Sequence, residues 1–155
     1  MMVEMKGSSV ASGLRVAIVV ARFNEFVTES LLRGARECFE RQQGDPAQLD
    51  VVRVPGAFEL PLALRRLAAS GRYQALVALA AVVRGATPHF EYVSSSATSG
   101  LAQVMLESGV PIGFGVLTTD TVEQAIDRAG AKSGNKGAEA MLTAIEMANL
   151  LKSLS

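Results

Sequence analysis

Nine consecutive residues without a polar side chain, Ala75-Leu76-Val77-Ala78-Leu79-Ala80-Ala81-Val82-Val83, constrain this 155-residue chain more than any other feature. A strand with one wet face alternates apolar and polar residues, so a run apolar at every position needs cover on both sides. Leu14-Arg15-Val16-Ala17-Ile18-Val19-Val20 has much the same character. Neither run approaches the roughly 18 apolar residues of a membrane span.

Between the apolar runs the period changes to that of a helix. Asn24 is a candidate cap for a segment in which Val27, Leu31, Ala35, Cys38 and Phe39 recur at helical spacing, ended by Gly44-Asp45-Pro46. Asp50 to Val54 reads as a second strand, closed by Pro55-Gly56, and Glu59 to Ala69 as a second helix. The nine-residue run stops at Arg84-Gly85-Ala86-Thr87. There Thr87 is the expected N-cap, with Pro88 at the first helical position. The helix that follows runs to about Glu107 and breaks at Gly109-Val110-Pro111. A fourth strand, Ile112 to Leu117, precedes Asp120 and Glu123, which have capping-box spacing for a helix ending at Gly130. A short loop, residues 131–134, leads to a last helix with Ala138, Met141, Leu142, Ile145 and Ala148 on one face. Strands alternating with helices imply right-handed crossovers and a parallel sheet. The expectation is one α/β domain, residues 14–155, behind a polar leader, residues 1–13. Its architecture is a three-layer sandwich with a four-stranded parallel sheet flanked by helices on both faces.

Fifteen basic residues balance fifteen acidic ones, without the excess that draws a protein to nucleic acid or anionic lipid. Such an uncharged, apolar chain associates readily, so a homo-oligomer is expected. One cysteine, Cys38, excludes an intrachain disulfide, and one histidine, His89, argues against a zinc site. No signal-peptide core is visible, and the default is a soluble cytoplasmic protein that needs no cofactor.

In sheets of this kind ligands bind beyond the carboxyl ends of the strands. Those ends deliver Phe23 and Asn24, then Gly56 to Glu59, then Arg84 to His89, then Thr118 to Asp120. Gly85 allows a tight turn, and the amides of Ala86 and Thr87, ahead of a helix, suit an anion such as phosphate. The same positive helix end disfavours the imidazolium of His89, so a neutral imidazole suited to proton transfer is expected. Plainer readings stand beside these. Such a turn also simply starts a helix, Phe23 also simply packs, Arg128 also complements a helix C-terminus, and Cys38 and the methionines are core filler. No Gly-x-Ser-x-Gly elbow, phosphate loop or dinucleotide fingerprint is present. Metal-free acid–base chemistry on a small phosphorylated substrate is what remains.

Five separated blocks carry a family resemblance. They are Ala21-Arg22-Phe23-Asn24, residues 55–61 (PGAFELP), residues 84–93 (RGATPHFEYV), residues 114–119 (FGVLTT), and residues 123–130 (EQAIDRAG) followed by Gly134-Asn135-Lys136-Gly137. From Leu14 to Leu151 the chain resembles lumazine synthase, whose fold is flavodoxin-like. The resemblance implies the penultimate step of riboflavin biosynthesis, condensing a ribitylamino-pyrimidinedione with 3,4-dihydroxy-2-butanone 4-phosphate. It implies that Phe23 stacks on the pyrimidine, that Ala57, Phe58 and Glu59 line the pyrimidine and ribityl pocket, and that Ala81, Val82 and Val83 bind the ring edge through backbone. Ala86 and Thr87 would hold the phosphate with Arg128 as counter-charge, His89 would move protons, Phe114 would close the pocket, and Lys136 with Glu139 would assist. The resemblance further implies sites between adjacent subunits of a pentamer, with Phe114 and Arg128 from the neighbour, and riboflavin synthase as a partner. The short segment Arg128 to Asn135 resembles that of relatives whose pentamers build icosahedral shells. An archaeal-type riboflavin synthase and a non-catalytic flavin- or lumazine-binding shell protein are the alternatives.

Overall fold

The computed structural model describes residues 1–132 and 134–155; Ser133, within the Arg128–Asn135 segment, lies outside the described residues. Four strands, β1 (Val16–Ala21), β2 (Leu49–Val54), β3 (Ala75–Val83) and β4 (Ile112–Thr119), form one parallel sheet in the order β2-β1-β3-β4. The two strands with apolar residues throughout take the central places, and every residue of β1 is buried. β2 occupies an edge, which is why it accommodates Asp50 and Arg53.

The twofold period of the strands divides the core into two layers. Val16, Ile18, Val20, Val77 and Leu79 face α1 (Glu25–Arg41) and α5 (Lys136–Leu154), joined by Ala125 of the short α4 (Val122–Arg128). Ala17, Val19, Leu76, Ala78 and Ala80 face α2 (Leu60–Ala69) and α3 (His89–Ser108). The predicted three-layer α/β sandwich is therefore the observed one. Close approach between α5 and its neighbours depends on absent side chains. A Cβ at Gly137 would lie 2.1 Å from the carbonyl oxygen of Leu31, and one at Gly113 would lie 2.1 Å from that of Ala140.

The leader is partly attached. Asn149 donates to the carbonyls of Ser8 and Val10 at 2.7 and 2.9 Å, and buried Ala11 donates its N–H to Gln42 at 2.7 Å. Met1, Met2, Val3 and Met5 remain exposed.

Helix starts differ from the sequence expectation. Pro88, not Thr87, is the N-cap of α3, so His89 is its first residue rather than lying further in. The capping box of α4 is Thr121 with Gln124, not Asp120 with Glu123. Thr121 has the extended backbone an N-cap needs, whereas Asp120 turns to Arg84 at 2.8 Å. Ala57–Glu59 form a 3-10 turn, so α2 begins at Leu60. β4 continues two residues past Leu117 because Val82 and Val83 still offer partners to Thr118 and Thr119.

Candidate active site

The chain leaves β1 toward β2 on one side and reaches β3 and β4 on the other, so the strand order reverses at β1. A crevice opens there beyond the carboxyl ends. Three loops meet at it. Arg22 and Phe23 donate their N–H groups to the carbonyls of Val54 and Pro55 at 2.8 and 3.0 Å, continuing the β1–β2 ladder past both strands. That extension lays the Phe23 ring across Gly56, where a Cβ would meet the ring at 2.8 Å and a Glu59 carboxylate oxygen at 3.2 Å. Gly56 is glycine because the aromatic shelf rests on it.

Asn24 ends the strand in a left-handed conformation, φ 61° and ψ 47°, without capping α1 through its side chain. Its amide instead donates to the Ala81 carbonyl at 2.7 Å, pinning the end of β1 to β3. The ladder between those strands finishes at Val20 and Leu79. Alternation along β3 turns the backbone of Val83 to the same side as that of Ala81, beyond that last pair. Ala81 and Val83 thus face the same side of β3, and the Ala81 carbonyl already accepts from Asn24.

Phe23, Ala57, Phe58, Glu59 and His89 line one concavity of 380 Å3 together with Gly56, Tyr92 and Val93. Its volume falls in the range of small-molecule sites. Phe23, Phe58 and Tyr92 are 66%, 62% and 72% exposed, an unusual concentration of aromatic surface at a single opening. Tyr92 and Val93 were not singled out from sequence. Their signal was the spacing of three and four residues from His89 on one helix, which places all three on one face.

Beside His89 lies the turn 84–88. Among the described residues, the amides of Ala86 and Thr87 donate to no protein acceptor, as an anion cradle requires. Gly85 does not adopt a left-handed conformation, and a Cβ there would meet nothing within 4 Å. The backbone at Gly85 therefore needs no left-handed residue, and the glycine leaves open surface. Hydrogen bonds to Asp120 and Glu91 push the Arg84 guanidinium above its ordinary range, so it stays charged.

The remaining expected residues do not join this concavity within one chain. Arg128, Lys136 and Glu139 line a separate one of 300 Å3 with Val116, Leu117 and Thr118. Phe114 lies in a third, of 220 Å3, against Thr98, Leu101 and Met105 of α3. A larger hollow of 560 Å3 on the α1–α5 layer, lined by Phe26, Arg33, Glu37 and Asn135 among others, holds none of the expected site residues. Cys38 is buried and burial pushes its thiol up, so it belongs to the core. No helix is long and apolar enough to cross a membrane among the described residues.

A doubly wound parallel sheet whose carboxyl rim joins an aromatic shelf, a carboxylate, an imidazole and an unbonded amide pair has the build of a small-molecule enzyme. The sequence model of 6,7-dimethyl-8-ribityllumazine synthase matches residues 13–152, and the chain belongs to that family. Its enzymes serve riboflavin biosynthesis.

Proposed function

We propose that the chain condenses 5-amino-6-(D-ribitylamino)uracil with L-3,4-dihydroxy-2-butanone 4-phosphate, giving 6,7-dimethyl-8-ribityllumazine, inorganic phosphate and two molecules of water. The observation that carries this reading is the placement of His89 between the Phe23–Glu59 concavity and the free amides of Ala86 and Thr87. The pyrimidine stacks on Phe23, and Glu59 accepts hydrogen bonds from ribityl hydroxyls. The phosphate ester rests on the two amides, which have no other acceptor to leave. Imine formation at the ketone expels the first water. His89 then takes a proton from the carbon next to the imine as the phosphate departs, and returns protons during tautomerisation. Ring closure expels the second water.

The fit to a shared site is direct. The exposed aromatic concavity lacks a cation, and the Arg128–Lys136–Glu139 concavity lacks an aromatic shelf. Arg128 and Phe114 of an adjacent subunit would complete the half supplied by Phe23 and His89. Mixing the protein with both substrates tests the reading: lumazine absorbance and phosphate should appear together, faster than in the uncatalysed mixture. Riboflavin formed from lumazine alone, or tight lumazine binding without turnover, would overturn it.

A further inference from the structure

The turn that offers its amides to the phosphate is almost unsupported. Residues 84–89 are all exposed, Pro88 caps α3 without a side-chain bond, and a Cβ at Gly85 would touch nothing within 4 Å. Flexible backbone makes a poor anion cradle, because its donors must be ordered at the moment of binding. Among the described residues, the side chain that crosses the turn is Arg84. Its Nε donates to Asp120 at the end of β4 at 2.8 Å, and its Nη1 to Glu91 in the first turn of α3 at 3.4 Å. The guanidinium lies 4.5 Å from the Phe90 ring centre, and the Arg84 N–H donates to the Thr119 carbonyl at 2.8 Å. One planar group thereby joins the sheet on one side of the turn to the helix on the other.

We propose that Arg84 is a positioning residue that holds the turn 85–88 with its amides presented to the phosphate ester. Being occupied by two carboxylates, it is not itself the phosphate's counter-charge. The proposal rests on the phosphate site read above. Single exposed ion pairs contribute little, but a planar fork shared by two carboxylates and a ring fixes geometry. A small displacement of positioned groups has large kinetic consequences.

Arg84→Ala, Arg84→Lys and Asp120→Asn are compared with the unaltered protein by steady-state kinetics and by hydrogen exchange at Glu91 and Tyr92, whose amides donate to the Pro88 carbonyl at 3.0 and 3.3 Å and so report whether the turn is held. Arg84→Ala should raise KM for the ketone phosphate by roughly tenfold, leaving KM for the pyrimidine within about twofold. Exchange at Glu91 and Tyr92 should quicken, while the assembled mass stays unchanged. Arg84→Lys should recover part of the effect, since an ammonium can reach one carboxylate but neither span both nor stack. Asp120→Asn should shift the same KM in the same direction, so the question survives if Arg84→Ala fails to fold. Unchanged exchange and unchanged KM in well-assembled variants would overturn the proposal, as would equal rises in both KM values. Absence of condensation by the unaltered protein would instead defeat the functional reading. The exchange comparison, repeated with inorganic phosphate as the probe, would still decide the role of Arg84.

Discussion

Two residues at the rim carry the sharpest expectations. His89 opens α3 and lines the concavity with Phe23 and Glu59. In the proposed condensation an amine and a ketone need orientation as much as proton transfer, so loss of the imidazole should leave part of the rate. His89→Ala should reduce kcat by about 10²–10⁴-fold or less and leave measurable turnover. A total loss in intact assemblies, seen in a stopped assay of lumazine formation, would contradict it. Asn24 is the second. Its left-handed backbone disfavours a Cβ without a polar group, and its amide satisfies the Ala81 carbonyl. Asn24→Ala should lose about 1–2 kcal/mol, combining the hydrogen bond with the strain, and Asn24→Gly should lose less because glycine tolerates that conformation. Thermal denaturation should rank unaltered protein, Gly variant and Ala variant in falling order; a Gly variant less stable than the Ala variant would refute the conformational argument.

At the scale of elements, apolar runs located the central strands well, since burial on both faces leaves no polar position to confuse the reading. The ends were harder to read. Thr87 and Asp120 both look like caps in sequence, yet the cap positions fell to Pro88 and Thr121. Tertiary demand decided that, because Asp120 serves Arg84. The Asn24–Ala81 bond could not be read, because it depends on which strand ends first. At the opposite end of the sheet the starts of β1, β2 and β3 are clasped together. Asp50 of β2 accepts from the Tyr73 hydroxyl at 2.6 Å and from Arg15 at 3.0 Å, with Arg72 at 3.6 Å. The hydrogen bond from Tyr73 chiefly, then Arg15, holds the Asp50 carboxyl below its usual range against the opposing pull of burial. Stability from that carboxylate is complete above its unfolded value, about pH 4, and is lost as pH falls through the lower folded value. Asp50→Asn should therefore weaken the protein at neutral pH by about 1 kcal/mol and flatten its stability profile below pH 4 or so. Parallel profiles for both proteins would remove Asp50 from the acid response.

For the whole molecule, the distribution of expected site residues over separate concavities matters most. Phe58, Leu62, Tyr92, Leu106 and Phe114 are large, apolar and exposed on or beside the α2–α3 layer, a surface suited to cover by a second copy. A head-to-tail ring would bring the Phe114 and Arg128 surfaces of one copy to the His89 opening of the next. His89→Ala and Arg128→Ala subunits, each weak alone, should regain activity when co-assembled in equal amounts, because roughly a quarter of all interfaces would then carry both intact halves. Activity no higher than the mean of the parents would place the whole site within one chain.

The decisive observation is where phosphate binds. Crystals soaked with inorganic phosphate should show the ion accepting from the amides of Ala86 and Thr87, within reach of the His89 ring. Phosphate bound solely elsewhere, with those two amides facing water, would contradict the account.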